Sequence, residues 1–181
     1  MNSDIQITTA SIKDIPLIRS MADDVFRATY KDIISPSQME YMMQWMYSEE
    51  SLEKQICGDG KAFFIARKAG EPCGYVSVEF ERMLEDGRKL FHLQKIYVLP
   101  AFQGSGVGQA LFNHIPAYLK TICTNPFRIE LNVNRNNRAV SFYERMGMTR
   151  DRQGDFPIGD GFFMTDYIYA LDINDQEIHN Q

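Results

Sequence analysis

The chain has 181 residues, 44 % of them hydrophobic, which is enough to close one substantial core and short for two ordinary domains. Its 19 lysines and arginines against 24 aspartates and glutamates leave a net charge of -5, which argues against a nucleic-acid partner and suits a cationic small molecule. Three cysteines, Cys57, Cys73 and Cys123, lack the spacing of a zinc or redox motif, and neither a leader pattern nor the roughly 18 apolar residues of a membrane span is present, so a cytoplasmic, metal-free protein with reduced thiols and no membrane partner is expected.

Residues 5–9 (IQITT) alternate like a strand, and Ser11 with Asp14 then opens a helix whose apolar positions, Ile15, Ile18, Met21, Ala22 and Val25, recur at helical spacing to about Ala28. After Ser35-Pro36, with Ser37 placed to cap, Met39, Met42, Met43 and Met46 predict a second amphipathic helix, and residues 51–56 a short third. AFFIARK and GYVSVEF read as a hairpin, residues 82–88 as a turn, and KLFHLQKIYVL as a long strand that Pro100 ends. A helix from Val107 to about Leu119, a strand over 128–133, a helix from Asn136 to Met146 closed by Gly147, and strands near 148–152 and 162–171 complete a mixed α/β order. Residues 1–172 read as a single domain, with 173–181 as a polar C-terminal tail.

The most informative stretch is LPAFQGSGVG, residues 99–108. A strand that stops at Pro100 and a helix that begins near Val107 leave Gly104, Ser105, Gly106, Val107 and Gly108 at a helix N-terminus, where backbone N–H groups have no intrahelical acceptor. Glycines at 104, 106 and 108 admit a bulky anion to those donors, and the helix dipole adds about half a positive charge. A phosphate or pyrophosphate is the natural ligand. The P-loop pattern fails because Gln109-Ala110 follow the last glycine, and the dinucleotide pattern fails because position 109 is not glycine.

Gln103, Gly106 and Gly108 form Gln-x-x-Gly-x-Gly after a strand ending Val98-x-Pro100, and NRNNRAVSFYERMGM follows at 134–148. Together these motifs resemble the GCN5-related N-acetyltransferase (GNAT) family across most of residues 60–171. IYVLP and the SPSQMEYMMQWMYS region are similar to the bacterial branch that includes polyamine acetyltransferases of the PaiA type. The resemblance implies one mixed, mostly antiparallel sheet of about seven strands with a splayed parallel pair, flanked by four to five helices. It implies acetyl-coenzyme A as cosubstrate, with its pyrophosphate on residues 103–108, its arm along the backbone of Ile96 and Val98, and Asn136 against the same arm.

It also implies Tyr143 as the general acid. A tyrosine hydroxyl near pKa 10 lies above a thiol near 8.5, so a leaving thiolate and a phenol are a workable proton pair. The acceptor ammonium must lose a proton before attack. Glu79 and His92 are the two candidate bases, the carboxylate first because a semi-buried one titrates upward. In this fold class the first two helices and the last strand pair build the acceptor site, which draws in Phe26, Tyr30 and the DFPIGDGFF segment at 155–163 and suits a polyamine-like cation through cation–π contact. A primary amine of a small molecule or of a peptide is therefore the expected acceptor. A non-catalytic acyl-coenzyme A sensor and a protein N-terminal or lysine acetyltransferase stand as alternatives, and a homodimer is possible for such a chain.

Overall fold

The computed structural model describes residues 4–179. Seven strands, β1 (Ile5–Thr9), β2 (Lys61–Lys68), β3 (Glu71–Met83), β4 (Lys89–Val98), β5 (Phe127–Asn134), β6 (Thr149–Gly159) and β7 (Phe162–Ile173), lie in one sheet of order β1-β2-β3-β4-β5-β7-β6. The helices are α1 (Ile15–Tyr30), α2 (Pro36–Tyr47), α3 (Glu49–Cys57), α4 (Val107–Ile122), α5 (Val140–Arg145) and α6 (Asp175–His179). The α/β character and mixed sheet are as expected, with one more helix, α6, inside the segment read as a tail.

The chain divides into two compact units, residues up to Glu79 with Lys95–Ile115, and Phe80–Gln94 with the residues from Pro116 onward. In the first unit, β1 and β3 both run antiparallel to β2. The β2 run from Ala62 to Ala66 is buried at every position, the signature of a strand covered on both faces. Ile18, Ala22, Val25 and Phe26 form the fully buried stripe of α1, each large side chain contributing about 1.5–3 kcal/mol by leaving water. Ser11 and Asp14 cap this region as predicted, the Ser11 N–H donating to Asp14 Oδ2 at 2.8 Å. At α2 the cap is Ser35, not Ser37: its hydroxyl accepts from the Gln38 N–H at 3.2 Å, because Pro36 occupies the first helical position, where a missing N–H costs nothing.

In the second unit, β4 pairs parallel with β5 from Lys89↔Phe127 to His92↔Glu130, and β7 runs antiparallel to both β5 and β6. Phe127, Ile129, Leu131 and Val133 are buried, while Arg128, Glu130, Asn132 and Asn134 take the alternate, polar face. The β6–β7 hairpin turns on Asp160-Gly161, both at positive φ (52° and 76°), the conformation that an Asp-Gly pair adopts most readily. The helix expected from Asn136 is shorter. Asn134 Oδ1 accepts from the Asn136 N–H and Asn137 Oδ1 from the Ala139 N–H, both at 2.9 Å, so two asparagine turns hold the backbone out of the helix until Val140.

Candidate active site

In the first unit, β4 ends against β3 where the Leu99 N–H donates to the Cys73 carbonyl at 2.9 Å. Pro100–Phe102 form one 3-10 turn, closed by the Gln103 N–H on the Pro100 carbonyl at 3.3 Å. The Gln103 side chain folds back, its Nε2 donating to the Val98 carbonyl at 3.3 Å, so it braces the turn on the strand it leaves. The Ser105 N–H and hydroxyl both donate to the Phe102 carbonyl. Gly104 and Gly106, at φ 75° and 87°, reverse the chain on either side of Ser105, a conformation that costs a residue with a Cβ about 1 kcal/mol or more.

The consequence is a row of outward amides. Among the described residues, the N–H groups of Gly104, Gly106, Val107 and Gly108 meet no backbone acceptor, and the first helical bond of α4 is that from Ala110 to the Gly106 carbonyl at 3.0 Å. Lys68, which the sequence reading missed, donates from Nζ to the Ser105 carbonyl at 3.0 Å. It places an ammonium with two further N–H groups beside the turn. This donor set fits a diphosphate: unpaired amides, a helix N-terminus and one cation.

The same unit holds three buried tyrosines, a half-buried fourth, Tyr97, and a buried lysine. The Tyr30 and Tyr97 hydroxyls lie 3.3 Å apart and those of Tyr47 and Tyr75 2.7 Å apart, and the Phe26 ring packs tilted against Tyr30 with centroids 4.5 Å apart. Phe26 is fully buried and Tyr30 nearly so. Lys95 Nζ donates to Gln55 Oε1 and sits 5.3 Å from the centre of the Tyr47 ring; burial lowers its pKa to about 8. A cavity of about 590 Å³ runs between α1 and α2, lined in part by Arg19, Asp23, Arg27, Glu40 and Tyr47. Glu79, one of the two bases considered, is paired with Lys61 at 3.4 Å. Ile96 and Val98 are half-buried on β4.

The second unit carries Tyr143, Asn136 and His92. Tyr143 is 7 % exposed on the one-and-a-half-turn α5, its carbonyl accepting from the Met148 N–H at 3.1 Å, with Gly147 closing the helix as expected. Asn136 lies in the turn before α5, whose N-cap position is taken by Ala139. His92 Nδ1 bonds Glu81 Oε2 at 2.9 Å, and this bond holds the Glu81 carboxyl below the usual carboxylate range. A carboxylate on Nδ1 fixes the imidazole and turns Nε2 away from it, which is the arrangement of a side chain able to accept a proton. No spacing in the sequence announced the Glu81–His92 pair, since it depends on the register between β3 and β4. Among the described residues, no cluster of His, Cys, Asp and Glu could hold a metal, and no helix is long and apolar enough to cross a membrane.

Residues 28–171 match the family described as the acetyltransferase (GNAT) domain. A protein described as an uncharacterized N-acetyltransferase in the pepI 3′ region of Lactobacillus delbrueckii subsp. lactis is 26 % identical over 159 residues, covering 86 % of this chain and 91 % of that one. Among solved structures, the PaiA N-acetyltransferase of Thermoplasma acidophilum, crystallised with coenzyme A, superposes with a TM-score of 0.76 at 21 % identity over 93 % of this chain and 99 % of that one. Arabidopsis thaliana NAA60, solved with a bisubstrate analogue, does so with a TM-score of 0.70 at 20 % identity over 94 % and 99 %. The fold is thus shared across acetyltransferases, and the family match spans most of the sequence. The chain belongs to the GNAT family and is an N-acetyltransferase that uses acetyl-coenzyme A.

Proposed function

We propose that the protein moves an acetyl group from acetyl-coenzyme A to a primary amine of a small, polyamine-like molecule or of a peptide by direct attack. The observation that carries this reading is the set of outward amides at Gly104, Gly106, Val107 and Gly108, a diphosphate cradle that Lys68 completes with charge. Gln103 and Ser105 belong to the cradle as its braces. The backbone of Ile96 and Val98 would hold the arm of the cosubstrate as an added strand does, with Asn136 as a further contact.

In this reading the acceptor ammonium, with a pKa near 10.4, gives its proton to a base, and the freed nitrogen lone pair attacks the thioester carbonyl carbon. His92 takes precedence over Glu79 as that base. Glu81 anchors its Nδ1 and leaves Nε2 to receive the proton, whereas Glu79 is engaged by Lys61. Tyr143 gives its hydroxyl proton to the departing thiolate. Phe26 and Tyr30 act on the acceptor side, Phe26 as packing beneath Tyr30 given its complete burial.

The test is release of coenzyme A thiol over a panel of amines and peptide N-termini. The wild type should release thiol with at least one amine class, and Tyr143→Phe should lower kcat about 100-fold, the lower end of general-acid effects, with the KM for acetyl-coenzyme A unchanged. An unchanged kcat removes Tyr143 from the chemistry. A thermal shift with acetyl-coenzyme A, without thiol release on any amine, would instead favour the acyl-coenzyme A sensor.

A further inference from the structure

In the first unit, Gly74 is buried on β3, where that strand meets the end of β4 and the early turns of α4. A Cβ at this position would stand 2.6 Å from the Tyr97 carbonyl oxygen, 3.1 Å from Leu111 Cδ1 and 3.4 Å from Val98 Cα. The first of these lies well inside an ordinary contact of about 3.5 Å. A leucine methyl can turn aside, but a carbonyl oxygen yields only if its strand moves. Gly74 does not take positive φ, so position 74 requires a missing side chain and not an unusual backbone.

The residue before it explains how β3 reaches so close. Ala66 pairs with Gly74 and Arg67 with Pro72, so Cys73 is an extra residue opposite β2, a bulge that bends its strand and sharpens the local twist. Its thiol donates to the Ala66 carbonyl at 3.4 Å, and its own carbonyl accepts the Leu99 N–H at 2.9 Å. Peptide groups alternate sides along a strand. With the Leu99 N–H and the Tyr97 carbonyl both turned toward β3, the Ile96 and Val98 peptide groups are turned to the opposite edge, where Gln103 Nε2 meets the Val98 carbonyl. The same β2–β3 hairpin sends Lys68 to the Ser105 carbonyl, so its end supports both the last residues of β4 and the turn that follows them.

We propose that Gly74 and the Cys73 bulge form a seat that presets the last residues of β4, so that the Ile96 and Val98 edge is in place for the coenzyme arm before the cosubstrate arrives. Gly74 is a positioning residue that acts through the Tyr97–Val98 backbone. The inference rests on the arm placement proposed above and adds the contact that fixes it. A preset edge spares the strand the ordering that binding would otherwise require, which strengthens the grip on the arm without any contact between Gly74 and the cosubstrate.

Calorimetric titration of Gly74→Ala with two ligands that share a diphosphate tests this: acetyl-coenzyme A, and 3′-phosphoadenosine 5′-diphosphate, which lacks the arm. The variant should bind acetyl-coenzyme A about tenfold more weakly than the wild type and the armless nucleotide within about twofold, a split that general loosening of the fold would not produce. Unchanged affinity for acetyl-coenzyme A, or an equal loss for both ligands, overturns the assignment. Hydrogen exchange on the wild type decides the matter if the variant does not fold. The Leu99 amide should be equally protected with and without acetyl-coenzyme A, while the Ile96 and Val98 amides gain protection on binding. A Leu99 amide protected only in the complex shows that the seat is not preset and overturns the inference, and no gain at Ile96 or Val98 removes the arm placement and the inference with it. Failure of the catalytic reading alone looks different: no amine releases coenzyme A thiol, yet the affinity split persists.

Discussion

Lys95 shows how much chemistry a single side chain carries out of sight. Its β4 neighbours Phe91 and Leu93 are buried, and Lys95 follows them in the same alternation at 6 % exposure, against Gln55 of α3 and Tyr47 of α2. Gln55 is itself fixed, donating to the Met46 carbonyl at 2.9 Å and to Ser51, so it cannot turn its amide to release the lysine. Burial lowers the Lys95 pKa from 10.5 to about 8. Unfolded lysine keeps its proton across that window while the folded one has lost it, so unfolding takes up a proton and stability rises with pH from about 8 to about 10.5. At 1.36 kcal/mol per pKa unit the rise is about 3 kcal/mol. Urea titrations at pH 7.5 and 10.5 should show this gain in the wild type and a flat response in Lys95→Met; parallel curves would mean that the ammonium finds water in solution.

Lys68 makes a second residue-scale case, with a functional readout. Among the described residues its ammonium donates to the Ser105 carbonyl alone, leaving N–H groups for a diphosphate. Lys68→Met should raise the KM for acetyl-coenzyme A about three- to tenfold with kcat within twofold, because a point charge at a semi-exposed phosphate site contributes about 1 kcal/mol of binding. An effect on kcat alone would place Lys68 elsewhere in the cycle.

At the level of elements, the glycine turn was legible in the sequence because each of its features is local. Pro100 ends the strand, Gly104 and Gly106 take positive φ, and Val107 starts α4, all within ten residues. Gly106→Val should therefore damage the turn twice, through strain at φ 87° and through a side chain beside the outward amides. The expected result is loss of the thermal shift produced by acetyl-coenzyme A at saturating concentration, with a small drop in the Tm of the free protein. A full shift in the variant would show that the turn does not hold the cosubstrate. Where local signals competed, the sequence was less readable. Asn134, Asn136 and Asn137 fit a helix start as well as the turns they form, and Ser35 and Ser37 were equally good caps until Pro36 chose between them. Pairs such as Glu81 with His92 are set by strand register, which no spacing along one chain encodes. Lys95 was passed over for another reason: it was judged by residue type, whereas its alternation with buried Leu93 already placed it inside.

Across the whole molecule the carboxylates and Lys95 pull the stability curve in one direction at opposite ends of the pH scale. Burial alone would push the Glu130 carboxyl up, but hydrogen bonds and charge from Arg152 and Arg128 outweigh it and hold its pKa below the ordinary 4.5. Asp151 and Glu81 are lowered as well, by Arg152 and by His92 first of all. A folded pKa below the unfolded one means that the stabilisation is fully present above the unfolded value and disappears as pH falls through the folded one. Stability should therefore fall steeply below about pH 4.5. Glu130 is the centre of this acid limb, because it is 4 % exposed and bonded to Arg128 on its own strand and to Arg152 of β6. Glu130→Gln keeps the shape and removes the charge, so it should lose about 1–3 kcal/mol at pH 7, the range for breaking a buried charged hydrogen bond. The deficit should shrink as the wild-type carboxyl protonates, bringing the two curves together in acid. Urea midpoints from pH 7 down to pH 3 decide the matter: a deficit that stays constant over that range would assign the loss to packing and leave the Arg128–Glu130–Arg152 charges without a part in acid stability.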